Sequence, residues 1–306
     1  MSARDLDAAG IRDPHLRESY ERCRVLNAAH GKTYYLATLL LPPEKRPYVH
    51  ALYGFARYAD EIVDDLASTL TVEEKSAWLA GWGDAFLADI DRGWSDDPVC
   101  RAVVDTVLRW QIPKENFTAF LHSMTMDLTV TEYRTFDDLY EYVYGSAAVI
   151  GLQMVPILEP TSEEAYPRAM DLGVAFQLAN FIRDVNEDLD RGRVYLPLDE
   201  LAEFSVTRAD LERRVATPEI KAALAWQVER VRTLSEQSRP GVALLDPRSR
   251  DCIDAARILY CGIVDEVERQ DYDVFRRRAS VPMRRRLAVA GPAWVRAVRA
   301  RRAYAR

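Results

Sequence analysis

Three observations predict an all-α fold in one domain. Apolar residues recur at helical rather than alternating spacing along most of the 306 residues. No stretch alternates long enough to read as a strand. The breaks between periodic stretches carry prolines and Ser, Thr or Asp at positions suited to starting helices. With 48% hydrophobic and 29% charged residues, the chain has the composition of a globular protein with a sizeable core.

The elements follow in order. Residues 1–19 form a polar lead-in whose end is marked by Pro14. Residues 20–41 read as a helix closed by Pro42 and Pro43, and Glu44 opens the next, which fades near Ser68. Thr71 with Glu74 makes a capping box for a helix through 78–90, followed by a turn at Arg92-Gly93. Residues 99–110 are amphipathic, and residues 114–128 form another helix. Thr135 with Asp138 then opens a helix to about 158, lined with Tyr140, Tyr144, Gly145, Ser146, Ala147, Ala148 and Gly151. Such a helix suits a cavity wall and close helix packing equally. Long helical patterns continue through 163–189, 220–238 and 249–272. A helical body over 20–278 and a basic tail over 279–306 complete the division.

Composition narrows the function. Cys23, Cys100, Cys252 and Cys261 have neither zinc-ligand nor disulfide-framework spacing, and His15, His30, His50 and His122 form no ligand set. Met1 to Gly10 is polar and acidic rather than a secretory signal, and the longest uncharged run, 142–158, is too short and too interrupted for a bilayer span. A cytoplasmic location is expected. The net charge of −7 conceals 11 arginines and no acid in residues 276–306, leaving −18 on the remainder. So acidic a body argues against nucleic-acid binding. The basic tail, with Leu287, Val289, Trp294, Val295 and Val298 among its arginines, suits either peripheral contact with an anionic membrane or a solvated segment.

Two stripes carry the chemistry. At about 100° per residue, Tyr53, Arg57, Asp60 and Asp64 fall within a wedge of roughly 60°, and Gln177, Asn180, Asp184 and Asp188 within roughly 80°. Each stripe ends in carboxylates one turn apart on a largely apolar helix. Facing inward, such carboxylates are costly unless a cation lies between them. A hard divalent ion carrying a phosphorylated ligand answers that need, with Arg57 as a fork for phosphate oxygens. Without the ion the carboxylates repel, so removing one is expected to spare the fold.

His30-Gly31-Lys32-Thr33-Tyr34, the run 53–65, and the run 177–197 with its Gly-Arg-Val-Tyr-Leu-Pro ending closely resemble the signature regions of the phytoene/squalene synthase family. The resemblance covers about 20–278. It implies an all-α isoprenoid-synthase fold with a central hydrophobic cavity and both aspartate motifs at its mouth. By the same resemblance Asp60, Asp64, Asn180, Asp184 and Asp188 hold metal, Mg²⁺ or else Mn²⁺. Tyr53, Arg57 and Gln177 line a diphosphate pocket, with Lys32 and Thr33 near the first diphosphate. Tyr260 and Arg277 match a late phosphate-contacting pair, in a register that Arg276 and Arg278 also allow. Gly31 stands where some members have serine, so one hydrogen bond is expected to be lost. Tyr34, Tyr53, Phe176 and Phe181 can stabilise a carbocation or simply pack.

The motifs look most like those of bacterial phytoene synthases. The implied reaction is a head-to-head condensation of two geranylgeranyl diphosphates through a cyclopropyl diphosphate, without NADPH. The alternatives are a squalene, hydroxysqualene or dehydrosqualene synthase acting on farnesyl diphosphate, a member that cyclises one prenyl diphosphate, or a silent relative. The last is disfavoured because the four motif aspartates are all present.

Overall fold

The computed structural model describes residues 3–64 and 70–304, without the side chains of Lys32, Thr33 and residues 62–64. Among the described residues sixteen helices run in order, beginning with α1 (Ala3–Ala8), α2 (Pro14–His30), α3 (Lys32–Thr38), α4 (Arg46–Asp64), α5 (Val72–Arg92), α6 (Pro98–Trp110), α7 (Glu115–Thr129) and α8 (Phe136–Val143). A π turn, Tyr144–Ala148, joins α8 to α9 (Val149–Ile157). After it come α10 (Ala165–Asp190), α11 (Leu198–Glu203), α12 (Arg208–Glu212), α13 (Pro218–Ala243), α14 (Pro247–Cys261), α15 (Ile263–Arg269) and α16 (Met283–Tyr304). Among the described residues no strand forms, only an isolated bridge between Glu132 and Val194.

Local chemistry explains most boundaries. The capping boxes form at both sites: Thr71 Oγ1 accepts from Glu74 N while Glu74 accepts from Thr71 N, and Thr135 with Asp138 does the same. The helix expected from Tyr20 starts earlier. Asp13 accepts from Leu16 N at 2.8 Å and Pro14 takes the first helical position, which needs no donor. The lead-in is itself partly structured, since Leu6 is buried and Asp5 holds Arg46 at 3.1 Å. The helix expected through 41 breaks at Gly31, and that expected over 249–272 breaks at Gly262. The fading expected near Ser68 lies outside the described residues.

Three apolar clusters organise the packing. One surrounds α10 and α13, through Leu178, Ile182, Leu224 and Val228. A second surrounds α4, where Phe55 meets Phe86, Phe117 and Trp82 at ring-centre distances of 4.4–5.5 Å. The third joins Leu41, Val155, Leu158, Leu245 and Ala293 from elements far apart in the chain. Beside it the fully buried Lys45 donates to Asp246 (3.0 Å) and Ser249 (3.1 Å) and pairs with Glu159 at 2.6 Å. Burial raises the Asp246 carboxyl, but hydrogen bonds from Arg248 and Lys45 outweigh it and hold the group well below the usual range. This network pins the start of α4 to the start of α14.

Residues 283–304 form a helix packed along α14, with Ala293 and Ala297 fully buried. No helix among the described residues is long and apolar enough to cross a membrane.

Candidate active site

Between the clusters lies an apolar cavity of about 320 Å³ into which α4 and α10 both look. Tyr53 and Ala56 line it from α4, and Phe176, Gln177 and Asn180 from α10. The first residues of both stripes, Tyr53 on α4 and Gln177 and Asn180 on α10, therefore share one hollow. A larger, open cleft of about 560 Å³ on the outer side of α10 and α13 holds no stripe residue, and its Arg230 is committed to Glu200 (2.6 Å) and to the Phe136 and Trp226 rings.

The helix from 136 to 157 is both wall and packing surface. Ser146, Ala147, Ile150 and Gly151 line the cavity. Gly145 is there for contact, because a Cβ on it would lie 2.1 Å from the Ala119 carbonyl oxygen.

On α4, Arg57 donates to Asp60 Oδ2 (2.5 Å) and Glu61 Oε1 (3.2 Å), and His30 Nε2 lies 3.3 Å from the same Glu61 oxygen. Asp64, the second carboxylate of this stripe, has its side chain outside the described residues, as do Lys32 and Thr33. The Tyr53 ring occupies the space a serine at 31 would need, since a Cβ on Gly31 would sit 2.6 Å from Tyr53 Cζ. Burial pushes the Tyr53 hydroxyl up to about 12.

On α10 the two carboxylates differ. Asp184 accepts from Arg183 Nε (2.6 Å) and Nη2 (2.5 Å), and from Arg278 Nε (2.7 Å) and Nη2 (3.0 Å). Burial acts to raise its carboxyl, but these guanidinium groups outweigh it and lower the pKa. Asp188 has no such fork among the described residues, and burial followed by the charge of Asp184 outweighs nearby Arg191 and Arg193 and pushes it up to about 8. Asn180 Oδ1 is buried with no hydrogen-bond partner among the described residues.

Behind Asp188, Tyr195 and Tyr142 donate to Asp127 at 2.8 and 2.7 Å, and Arg193 donates to the Asp127 carbonyl at 2.7 Å. The Arg-Val-Tyr-Leu-Pro ending is thereby anchored to α7.

Tyr34, Tyr260 and Phe176 form an aromatic chain, with ring centres 4.9 Å apart for the first pair and 4.7 Å for the second. Tyr34 also lies 6.1 Å from Tyr53. Tyr260 thus packs against two residues of the cavity wall, Tyr34 and Phe176. Phe181 does not: it turns to the other side of α10 and stacks on Tyr195 at 4.3 Å in the core. The late arginine that reaches the acidic helix is Arg278; exposed Arg277 makes no side-chain contact with it among the described residues. Arg183 was not anticipated from the stripe, since it lies off the stripe's axis. Its signal was the adjacent Asp184 and, one turn on, Glu187, which offer a guanidinium its counter-ions.

Among the described residues no three His, Cys, Asp or Glu side chains converge as a metal cluster. The donor set nonetheless fits a hard divalent cation. It consists only of oxygen, its Asn180 oxygen is orphaned among the described residues, and its Asp188 is half-buried beside a second carboxylate.

Residues 27–285 match the family described as Squalene/phytoene synthase. The chain is 37% identical to the 15-cis-phytoene synthase of Synechococcus elongatus over 294 residues, covering 92% of this chain and 94% of that one. It is 37% identical to phytoene synthase 1, chloroplastic, of Arabidopsis thaliana over 290 residues, 92% and 68% of the two chains. Among solved structures, a dehydrosqualene synthase in complex with ligand superposes with a TM-score of 0.83 at 26% identity, covering 91% of this chain and 96% of the other. The squalene synthase HpnC of Alicyclobacillus acidocaldarius gives 0.79 at 27% identity, over 87% and 98%. Helical architecture, shared cavity and matched motifs agree: the chain belongs to the squalene/phytoene synthase family and is a prenyltransferase.

Proposed function

We propose that this chain joins two molecules of geranylgeranyl diphosphate head to head to give phytoene, by way of a cyclopropyl (prephytoene) diphosphate. The observation that carries the reading is the meeting of Tyr53, Gln177 and Asn180 in one apolar cavity, on the same helices as Arg57, Asp60, Asp184 and Asp188. The similarity to phytoene synthases favours the C20 substrate.

In the first half-reaction one C–O bond breaks, diphosphate departs with the electron pair, and the double bond of the second molecule attacks the allylic cation. Loss of a proton closes the cyclopropane. In the second, the remaining diphosphate leaves, the ring rearranges, and another proton is lost. Arg57, Arg183 and Arg278, paired here with Asp60 and Asp184, offer guanidinium groups that would turn to phosphate oxygens, and the Gln177 amide and Tyr53 hydroxyl add donors. Asp60, Asp64, Asn180, Asp184 and Asp188 would hold Mg²⁺ or Mn²⁺, which when bound neutralises charge on the departing diphosphate. The faces of Tyr34, Tyr53 and Phe176 stabilise cationic centres, and the apolar wall keeps water from them. Lys32 and Thr33 belong to the first diphosphate subsite in this reading. No reductant is required, so NADPH has no role.

The likeness to a dehydrosqualene synthase supports a second reading with the same site and farnesyl diphosphate as substrate. Labelled C15 and C20 diphosphates, each with and without NADPH, separate the two. C40 hydrocarbon from the C20 substrate alone is expected, and C30 product from the C15 substrate alone would move the assignment. A cytoplasmic enzyme in peripheral membrane contact through residues 279–306 completes the proposal, since substrate and product are lipids.

A further inference from the structure

Helix α16 has two unlike faces. One is committed to the fold. Ala293 and Ala297 are fully buried, and Val289 packs into the cluster of Leu41, Leu158 and Leu245 beside the cavity. Arg285 pairs with Asp265 at 2.6 Å and Arg296 with Asp251 at 2.5 Å.

The other face has no such partners. At about 100° per residue, Met283, Leu287, Trp294 and Val298 fall in a wedge of roughly 60°. The first three are 64, 65 and 55% exposed. Arg284, Arg299 and Arg302 project along one edge of this ridge; they are exposed and form no ion pair among the described residues. Ala37 and Leu40, at the end of α3, share an apolar cluster with Val289 and Ala293 of α16. That places the end of α3, with Leu36 and Leu39 exposed, beside α16.

An apolar ridge with an arginine edge is the pattern of a helix lying in the headgroup plane of a bilayer. Charge selects the lipid and the orientation. Residues 276–306 carry 11 arginines and no acid, while the rest of the chain carries −18. An anionic surface attracts this face and repels the remainder. Contact between the α16 ridges of two copies would instead set arginine edges together.

We propose that α16, with the adjoining end of α3, seats the protein in the headgroup layer of an anionic membrane. Leu287 and Trp294 enter the acyl boundary, and Arg284, Arg299 and Arg302 meet lipid phosphates. The proposal rests on the lipid-processing reading of the cavity and gives it a setting. Cys252 and Ile253 of α14 line the cavity while α14 also bears α16, so one helix separates the prenyl cavity from the bilayer.

The test uses the full chain and point variants, because truncation would uncover the buried face of α14. Co-flotation is measured with vesicles of phosphatidylcholine alone and of phosphatidylcholine mixed with phosphatidylglycerol. Melting temperature and turnover of geranylgeranyl diphosphate in detergent micelles are followed in parallel. The wild type is expected to float only with the mixed vesicles. Arg284→Gln/Arg299→Gln/Arg302→Gln should partition on the order of 100-fold more weakly. Leu287→Ser/Trp294→Ser should also lose flotation, both variants keeping the wild-type melting temperature. Equal flotation with neutral vesicles, or unaltered binding by well-folded variants, would overturn the proposal. So would lipid-free dimerisation abolished by Leu287→Ser/Trp294→Ser, which would assign the ridge to a second copy. C40 product in micelles without flotation would remove the membrane face and leave the reaction; flotation without C40 product would do the reverse.

Discussion

Arg278 and Arg277 are neighbours in sequence, and the structure gives only Arg278 a role at the acidic helix. Its Nε and Nη2 donate to the two Asp184 oxygens at 2.7 and 3.0 Å, and Nε lies 3.3 Å from Glu187. Replacing Arg278 with Gln removes two charge-assisted hydrogen bonds and one of two guanidinium forks on Asp184. Such bonds contribute about 1.5–3 kcal/mol when well sheltered. With its side chain 51% exposed, Arg278 belongs near the lower bound, about 1.5 kcal/mol, or roughly tenfold in kcat/KM. Arg278→Lys should fall nearly as far, because an ammonium cannot reproduce a planar fork. Arg277→Gln should stay within about twofold, as surface substitutions without partners do. Steady-state turnover of radiolabelled geranylgeranyl diphosphate by the three variants is the assay. A larger loss in Arg277→Gln than in Arg278→Gln would refute the register and the placement of the fork.

The two carboxylates of α10 should respond oppositely to removal in the metal-free protein. The folded-state pKa of Asp188 lies at about 8 against an ordinary 3.8, so the folded form binds more protons and stability falls as pH rises between those values. Asp188→Asn should abolish that fall and raise stability by an amount on the order of 4 kcal/mol at pH 7, whereas Asp184→Ala strands half-buried Arg183 and should cost about 2 kcal/mol; both should lose turnover, and a lower melting temperature for Asp188→Asn would contradict the account. Gly31→Ser should reduce kcat/KM at least about tenfold by displacing the Tyr53 ring, with circular dichroism unchanged; normal kinetics would show that Tyr53 need not sit where it does. Asp246→Ala leaves buried Lys45 with Glu159 as its remaining carboxylate and uncaps α14, an expected loss of about 3 kcal/mol in urea unfolding. Because the Asp246 carboxyl titrates below its ordinary value in the folded chain, its contribution is present above about pH 4 and disappears on acidification; a mutational effect independent of pH would argue against the network.

Much of the site was legible because helical periodicity is a geometric rule. It put Tyr53 with Asp60 and Gln177 with Asn180 on single faces before any fold was known. The capping boxes at Thr71 and Thr135 were equally plain, since both partners lie within four residues. Long-range pairing was not legible. That Arg278 rather than Arg277 turns toward Asp184 depends on the path of the chain after α15, and that Phe181 stacks on Tyr195 depends on how the loop after α10 folds back. The unequal fates of Asp184 and Asp188 also escaped the stripe. Repulsion between carboxylates describes Asp188, but Asp184 is held by two arginines, one of them 94 residues away in sequence. The start at Pro14 could have been read from Asp13-Pro14, a cap followed by the residue best suited to the first helical position. The residues of α16 gave only charge and composition, and its burial against α14 needed the three-dimensional arrangement.

The central claim is that the oxygen-ligand stripes of α4 and α10 act together on a prenyl diphosphate. It is tested most directly by incubating the purified protein with geranylgeranyl diphosphate and Mg²⁺, without NADPH, and measuring diphosphate release and extracted hydrocarbon. The account predicts two diphosphates released per C40 product, both abolished by EDTA and by Asp60→Ala. Release of diphosphate unaffected by EDTA, or undiminished in Asp60→Ala, would contradict it.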